Sequence, residues 1–409
     1  MARQVAPAVA SGGGAEYLSP PVSVPPSNTP AGGRRISRER IVSLGDEGEA
    51  TVILKAAVAS NGEHRPPGDS VSTAAAEASS DSEAEDGAVD VLQAGASSSS
   101  RGVRRNSQQA FAERNHTALL LDWDDTLFPT TWVREDCKLD YRFHLHEQPL
   151  LGPGERRDAI EAFLAKHLTK AVEFLAEAAG LANVFIVTLA KRGWVDTTIA
   201  HFMPGLADAV KQHTSKVIYA QEFADEEEVQ QYMNLAGDPD CAEECANFWT
   251  RVKGEAISQE LEEFHRRLDA SWKNVISFGD SDFERYGTIS AGQDYMRREM
   301  EGGSMKQTGQ TAEGVSKDGH LKRLRLKTVK MLDKPTVLEL TAELKLLRSW
   351  LPHIVKRDEG LDLEIEGTDD DAELRKLHTR VTHEIVDEGH ALYSWLSWRE
   401  LAGMTDTGG

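Results

Sequence analysis

A three-layer α/β/α domain built on a central parallel sheet of five strands is what this 409-residue sequence predicts, on three observations. Short apolar runs alternate with segments of helical period, as buried parallel strands and their crossover helices require. Several runs end abruptly in acids or a hydroxyl, and ligands of open α/β folds bind at the carboxyl edge of the sheet. The first 110 residues differ in kind: they are dense in Ala, Gly, Ser and Pro, with tracts such as 11–14 and 97–100, and nearly free of aromatic side chains. Such a segment buries too little apolar area to offset its ordering entropy. The expected organisation is a disordered arm over 1–110, a folded domain over 111–355, and an acidic linker with an amphipathic helix or tail over 356–409.

The strands read as 117–122 (TALLLD), 183–188 (NVFIVT), 216–220 (KVIYA), 274–280 (NVISFGD) and 326–332 (LKTVKML). Between the first two, a helix over 156–179 aligns Ile160, Phe163, Leu164, Leu168, Val172, Phe174 and Leu175 in one buried stripe. Further helices are expected over 194–203, 254–268 and 335–351. Pro335 would open the last of them, where its missing donor costs nothing. A final segment containing Leu392, Tyr393, Trp395, Leu396 and Trp398 reads as an amphipathic helix packing on the same chain, with a partner as the alternative.

Charge narrows the partners. The formal net charge is −21; the first 110 residues, with 10 basic and 13 acidic side chains, carry −3, which leaves −18 for the rest. An acidic body repels the backbone of nucleic acid, so no nucleic-acid partner is expected. The basic run Lys322, Arg323, Arg325 and Lys327 alternates with leucine and reads as a strand with solvated basic side chains. No stretch approaches the roughly 20 apolar residues that cross a bilayer. Pro7 and Gly12 to Gly14 interrupt any secretory core near the start. No membrane association is expected, and a soluble cytoplasmic protein is, with the nucleus as the open alternative. Three cysteines, Cys137, Cys241 and Cys245, suit a reducing compartment. Cys241 and Cys245 with His144 or His146 form a weaker metal-site reading, because no C-x-x-C pair is present.

The most informative segment is 119–130, in which an apolar strand runs into Asp122, Asp124 and Asp125. Three acids at a strand end repel one another, and a metal ion is the usual compensating charge. The segment resembles the first motif of the haloacid-dehalogenase (HAD) superfamily, Asp-x-Asp-x-Thr/Val-Leu/Val, through Asp122, Asp124, Thr126 and Leu127. Its Asp-Trp-Asp-Asp-Thr-Leu form is similar to that of protist and algal members. The resemblance implies a Rossmann-like HAD domain and a phosphatase in which Asp122 attacks phosphorus to form an aspartyl-phosphate. It implies that Asp124 protonates the leaving oxygen and later deprotonates the attacking water, two displacements easier than one.

Three further motifs carry the resemblance. Thr188, at the end of 183–188, matches the hydroxyl that bonds the transferring phosphoryl group. Residues 276–284 resemble the fourth motif, which supplies acidic ligands to Mg2+. Asp280 is the clear match; Asp282 and Glu284 compete for the second acid, because the residue four after Asp280 is Glu284 rather than Asp. Asp122, the backbone carbonyl of Asp124, and Asp280 would suffice for magnesium with phosphate and water. The third motif is a lysine. Lys273 precedes its strand and would lie about 20 Å from Asp280 at the wrong edge. Lys253 opens the helix that runs back down the sheet and is chosen; Lys191 and Arg192, after Thr188, are the alternative cations.

Superfamily substrate choice is usually set by a cap. The segments 128–153 and 221–251 are long enough for a flap and a helical insert but not for a domain. A capless site favours a phosphorylated protein as substrate. The rival reading is a non-catalytic HAD-fold scaffold that binds phosphorylated ligands or partners. The arm also contains Arg-Arg-x-Ser strings ending at Ser37 and Ser107, which resemble sites of basophilic kinases.

Overall fold

The computed structural model describes residues 108–384, apart from 236–237, 269–270, 301–303, 309, 316–318, 320 and 366–370, together with two earlier strands. Those strands, β1 (Arg40–Leu44) and β2 (Ala50–Leu54), pair antiparallel with Arg40 opposite Leu54, in a unit of their own. Average composition over 1–110 hid these two local apolar runs. Residues 1–39, 45–49 and 55–107 of the expected disordered arm, with Ser37 and Ser107, lie outside the described residues.

All five expected strands form, as β3 (Thr117–Leu121), β4 (Asn183–Thr188), β5 (Lys216–Tyr219), β6 (Asn274–Gly279) and β9 (Leu321–Lys330). They are mutually parallel in the order β5-β4-β3-β6-β9. The sheet does not stop there. A hairpin of β7 (Ser304–Thr308) and β8 (Thr311–Val315) adds antiparallel to the first half of β9, and β10 (Leu361–Glu364) adds parallel to its second half. The sheet is therefore mixed and eight-stranded.

Successive side chains on a strand point to opposite faces. Leu119 and Leu121 accordingly enter one core with α1 (Glu155–Leu181), α2 (Trp194–Phe202), α3 (Ala207–His213) and α7 (Val337–Lys356). Ala118 and Leu120 enter the other, with α4 (Glu226–Leu235), α5 (Ala242–Leu268) and α6 (Asp282–Glu299). The three layers follow from this alternation. Among the described residues no helix is long and apolar enough to cross a membrane.

Several boundaries differ from the sequence reading, each for a physical reason. Helix α5 begins twelve residues before Gly254, which a local reading takes for a helix start and which packing holds inside the helix. Pro335 stands before the N-cap of α7 rather than at its first turn; Thr336 caps that helix reciprocally with Glu339. The same helix continues through Pro352 because Ile354 and Val355 are fully buried. The folded unit also runs on past residue 355. Asp362 on β10 accepts both a Thr328 hydroxyl and a two-pronged Arg285 contact, which makes the acidic strand a buried-edge partner. Helix α8 (Asp371–Thr382) seats Leu374 and Val381 in the core, and the Trp350 indole donates to His378 Nδ1 at 3.0 Å. The tail segment 392–398 lies outside the described residues.

The basic strand requires a correction. Arg325 and Lys327 are buried, not solvated, because β9 is covered on both faces. The Arg325 guanidinium lies 4.0 Å from the Phe111 ring centre and bonds Asp358 at 2.6 Å. Lys327 donates to the Ile354 and Val355 carbonyls, at 2.6 and 3.2 Å, at the end of α7. Burial, then the neighbouring Arg325, pushes the Lys327 amine down to about 6.

Candidate active site

Parallel register delivers two acids to one place. Leu121 is opposite Phe278, so Asp122 and Asp280 leave neighbouring strands at the same carboxyl edge. The Asp122 amide donates to the Phe278 carbonyl at 3.0 Å, which pins the exit of β3. Carboxylate oxygens of Asp122, Asp280 and Glu284 all lie within 4.8 Å of one another, and all three residues are buried. Lys253 Nζ, itself buried, donates to Asp122 Oδ1 at 2.7 Å and to Glu284 Oε1.

Glycines set these positions. A Cβ on Gly254 would lie 3.2 Å from the Gly287 carbonyl, and one on Gly287 would lie 3.2 Å from the Gly254 nitrogen. Helices α5 and α6 thus touch backbone to backbone, next to Lys253 and one turn from Glu284. Lys253 stands mid-helix rather than at a helix start, yet still at the carboxyl edge. Gly279 leaves room for Glu284, whose side chain a Cβ there would overlap. Glu284 folds back because Ser281 and Glu284 form a reciprocal cap on α6: Oε2 accepts from the Ser281 amide at 3.0 Å and from its hydroxyl. Both Glu284 oxygens are therefore engaged.

Asp124 is held by three donors. Thr130 Oγ1 reaches Oδ1 at 2.6 Å, Trp194 Nε1 reaches Oδ1 at 2.8 Å, and Thr188 Oγ1 reaches Oδ2 at 3.2 Å. Thr188 also accepts from the Ala190 amide at 3.0 Å. Asp125 takes the left-handed backbone at φ 51° that turns the chain, and its Oδ1 accepts from the Thr131 amide at 2.8 Å. An Asp tolerates that conformation better than most residues.

The site holds more negative charge than it neutralises. Burial raises Asp122 to about 8 against the pull of Lys253, with Glu284 and Asp124 adding to the rise. Burial raises Asp280 well above the carboxylate range, followed by repulsion from Glu284, Asp125 and Asp122. Asp125 rises to about 7 and Asp124 also rises, both mainly by burial, which their hydrogen bonds only partly offset. Lys253 is opposed by burial, but Asp122 and Glu284 together hold it above the ordinary ammonium range.

The structure brings together Asp122, Asp124, Thr188, Lys253, Asp280 and Glu284. It leaves Asp282 apart: as the first residue of α6 it faces Arg285 at 3.7 Å and is not in the acidic group. Arg192 is committed to Glu222 at 2.6 Å and covers the Tyr219 ring, and Lys191 is exposed. Lys273 sits at the opposite edge, its amide bonded to the His116 carbonyl at 3.0 Å. The cysteine and histidine reading is not supported. His144 packs on His201 at 4.2 Å, and among the described residues only Asp122, Asp280 and Glu284 group closely enough to hold a metal. Sequence reasoning missed Thr130, Trp194 and Ser281. Only Ser281 left a local signal, the Ser-x-x-Glu spacing of a capping box.

Neither intervening segment builds a domain among the described residues. Segment 129–153 holds a π-helical turn (Trp132–Asp136) and a 3-10 turn (Leu145–Glu147), and it buries Trp132, Val133, Leu139 and Leu145 in the main core. Segment 221–251 is α4 with short turns, followed by the first part of α5. Comparison of the chain with family models, with curated proteins and with solved structures gave no match.

Proposed function

We propose that this chain is a magnesium-dependent phosphomonoesterase of HAD type, with Asp122 as nucleophile and a phosphorylated protein as substrate. The observation that carries the proposal is the meeting of Asp122 and Asp280 from adjacent strands beside the ammonium of Lys253. An all-oxygen donor set of buried, mutually repelling carboxylates suits a hard divalent cation. Asp122 and Asp280 would hold it. Glu284 would not, since freeing its oxygens would uncap α6 and release Lys253. When bound, magnesium would supply the positive charge that lets two anions, carboxylate and phosphate, approach each other.

The remaining work belongs to the chain. Lys253 fixes the Asp122 carboxylate through Oδ1 and presents its charge beside the group that attacks phosphorus. As the Asp122 oxygen bonds phosphorus, the ester oxygen leaves and takes a proton from Asp124. Water then attacks the aspartyl-phosphate, gives its proton to Asp124, and releases inorganic phosphate with Asp122 restored. A carboxyl edge without a domain over it, among the described residues, admits a phosphate carried on a large partner.

Phosphate release from an aryl phosphate, phosphopeptides and sugar phosphates, with and without magnesium, tests the proposal. Asp122→Asn should abolish turnover, a loss of at least about 1,000-fold. A scaffold that only binds phosphorylated ligands would show no wild-type turnover to lose. Efficient hydrolysis of sugar phosphates alone would overturn the protein substrate while keeping the chemistry.

A further inference from the structure

The two oxygens of Asp124 are not equivalent. A carboxylate oxygen accepts about two hydrogen bonds. Oδ1 receives two, from the Thr130 hydroxyl at 2.6 Å and the Trp194 indole at 2.8 Å. Oδ2 receives one, longer, from Thr188 at 3.2 Å. Lone-pair capacity therefore remains on Oδ2 alone.

The Oδ1 donors are themselves fixed. Trp194 is buried and opens α2 directly after Gly193, whose φ of 91° needs a residue without a side chain. Its amide bonds the Lys191 carbonyl at 3.1 Å, and Tyr141 packs edge-on against the indole at 5.2 Å. An indole N–H only donates and does not titrate in the range where proteins fold, so it can anchor an oxygen but never carry its proton.

We propose that Trp194, with Thr130, anchors Oδ1 of Asp124 and so makes Oδ2 the oxygen that carries the transferable proton. Trp194 is a positioning residue: it acts through Asp124. The inference rests on the phosphatase reading above and deepens it at one step. In that step the Asp122 oxygen to phosphorus bond forms, the phosphorus to ester-oxygen bond breaks, and the leaving oxygen takes the proton from Oδ2. A leaving group that departs well as an anion needs no such proton. A poor one does.

The test compares full-length wild type, Trp194→Phe and Thr130→Val on phenyl phosphate, a poor leaving group, and on dinitrophenyl phosphate, a good one. Each variant should lose roughly 30-fold or more in kcat on the phenyl ester and under about 3-fold on the dinitrophenyl ester, with KM nearly unchanged. Thr130→Ser, which keeps the hydroxyl, should restore the wild-type ratio. Thermal unfolding of each variant guards against a fold defect, and Thr130→Val removes a hydroxyl at nearly constant volume. Equal losses on both esters, or none, with wild type active would overturn the anchoring role while leaving the phosphatase reading intact. Absence of wild-type turnover on both esters would overturn that reading, and the inference with it.

Discussion

Both ends of the central sheet bury charge, and they compensate it differently. At the amino edge Arg325 and Lys327 find an aromatic face, an aspartate and two helix-end carbonyls, so each buried basic side chain has structural partners. At the carboxyl edge Asp122, Asp280 and Glu284 crowd together, and among the described residues Lys253 is the one ammonium bonded to the group, through Asp122 and Glu284. Buried charges persist when paired or bonded, and an excess of one sign marks a place kept for something else. The contrast separates a charged core from a candidate site without reference to any motif.

Removing the ammonium should break the contrast most severely. Lys253→Met leaves the acids without their cation, and we expect turnover to fall at least about 1,000-fold. Stability should fall by about 3–5 kcal/mol. Phosphate release and denaturant unfolding measure the two effects. Preserved activity with only lost stability would assign Lys253 to the core.

The two edges should also oppose each other in pH. Asp122 titrates at about 8 in the fold, above its ordinary 3.8, so its contribution is complete below pH 4 and fades as pH rises through 8. Lys327 titrates at about 6, below its ordinary 10.5, so the folded state gains stability as pH rises from 6 to 10.5. In metal-free protein Asp122→Asn should therefore raise Tm more at pH 8 than at pH 5. Lys327→Met should help more at pH 6.5 than at pH 10. Tm against pH for the two variants checks both signs, and parallel curves would erase the distinction. The smallest expected effect is at the amino edge: Phe111→Ala should cost about 1 kcal/mol beyond its lost apolar contact, through the cation–π pair with Arg325, and leave turnover unchanged.

What the sequence made legible follows the same division. Strands β3, β4 and β6 read clearly because a parallel strand covered on both faces is a continuous apolar run. Asp122 and Asp280 follow as the residues at which such runs stop. The basic run of β9 was legible as a strand from its alternation with leucine, but the burial of Arg325 and Lys327 was not, because it depends on Phe111 and on the end of α7, both distant in sequence. Strand β10 was hidden by Asp362 and Glu364, acids that read as a linker until Arg285 is known to hold them. Trp194 was illegible for a similar reason: an indole in a helix start says core, and its partner Asp124 lies 70 residues away. Local pattern reports what a segment buries. It does not report which remote group a buried polar atom meets.

The bare crossing of α5 and α6 has a consequence for how this centre could change. With no side chain between the two helices at Gly254 and Gly287, nothing there can be trimmed or swapped to adjust the spacing in small steps. A Cβ added at either glycine would sit 3.2 Å from the facing backbone, so α5 and α6 would have to give way there, and they carry Lys253 and Glu284 with its cap. The ion pair and the helix start are thus inherited as one piece, and a variant lineage would have to retune them together or keep both glycines.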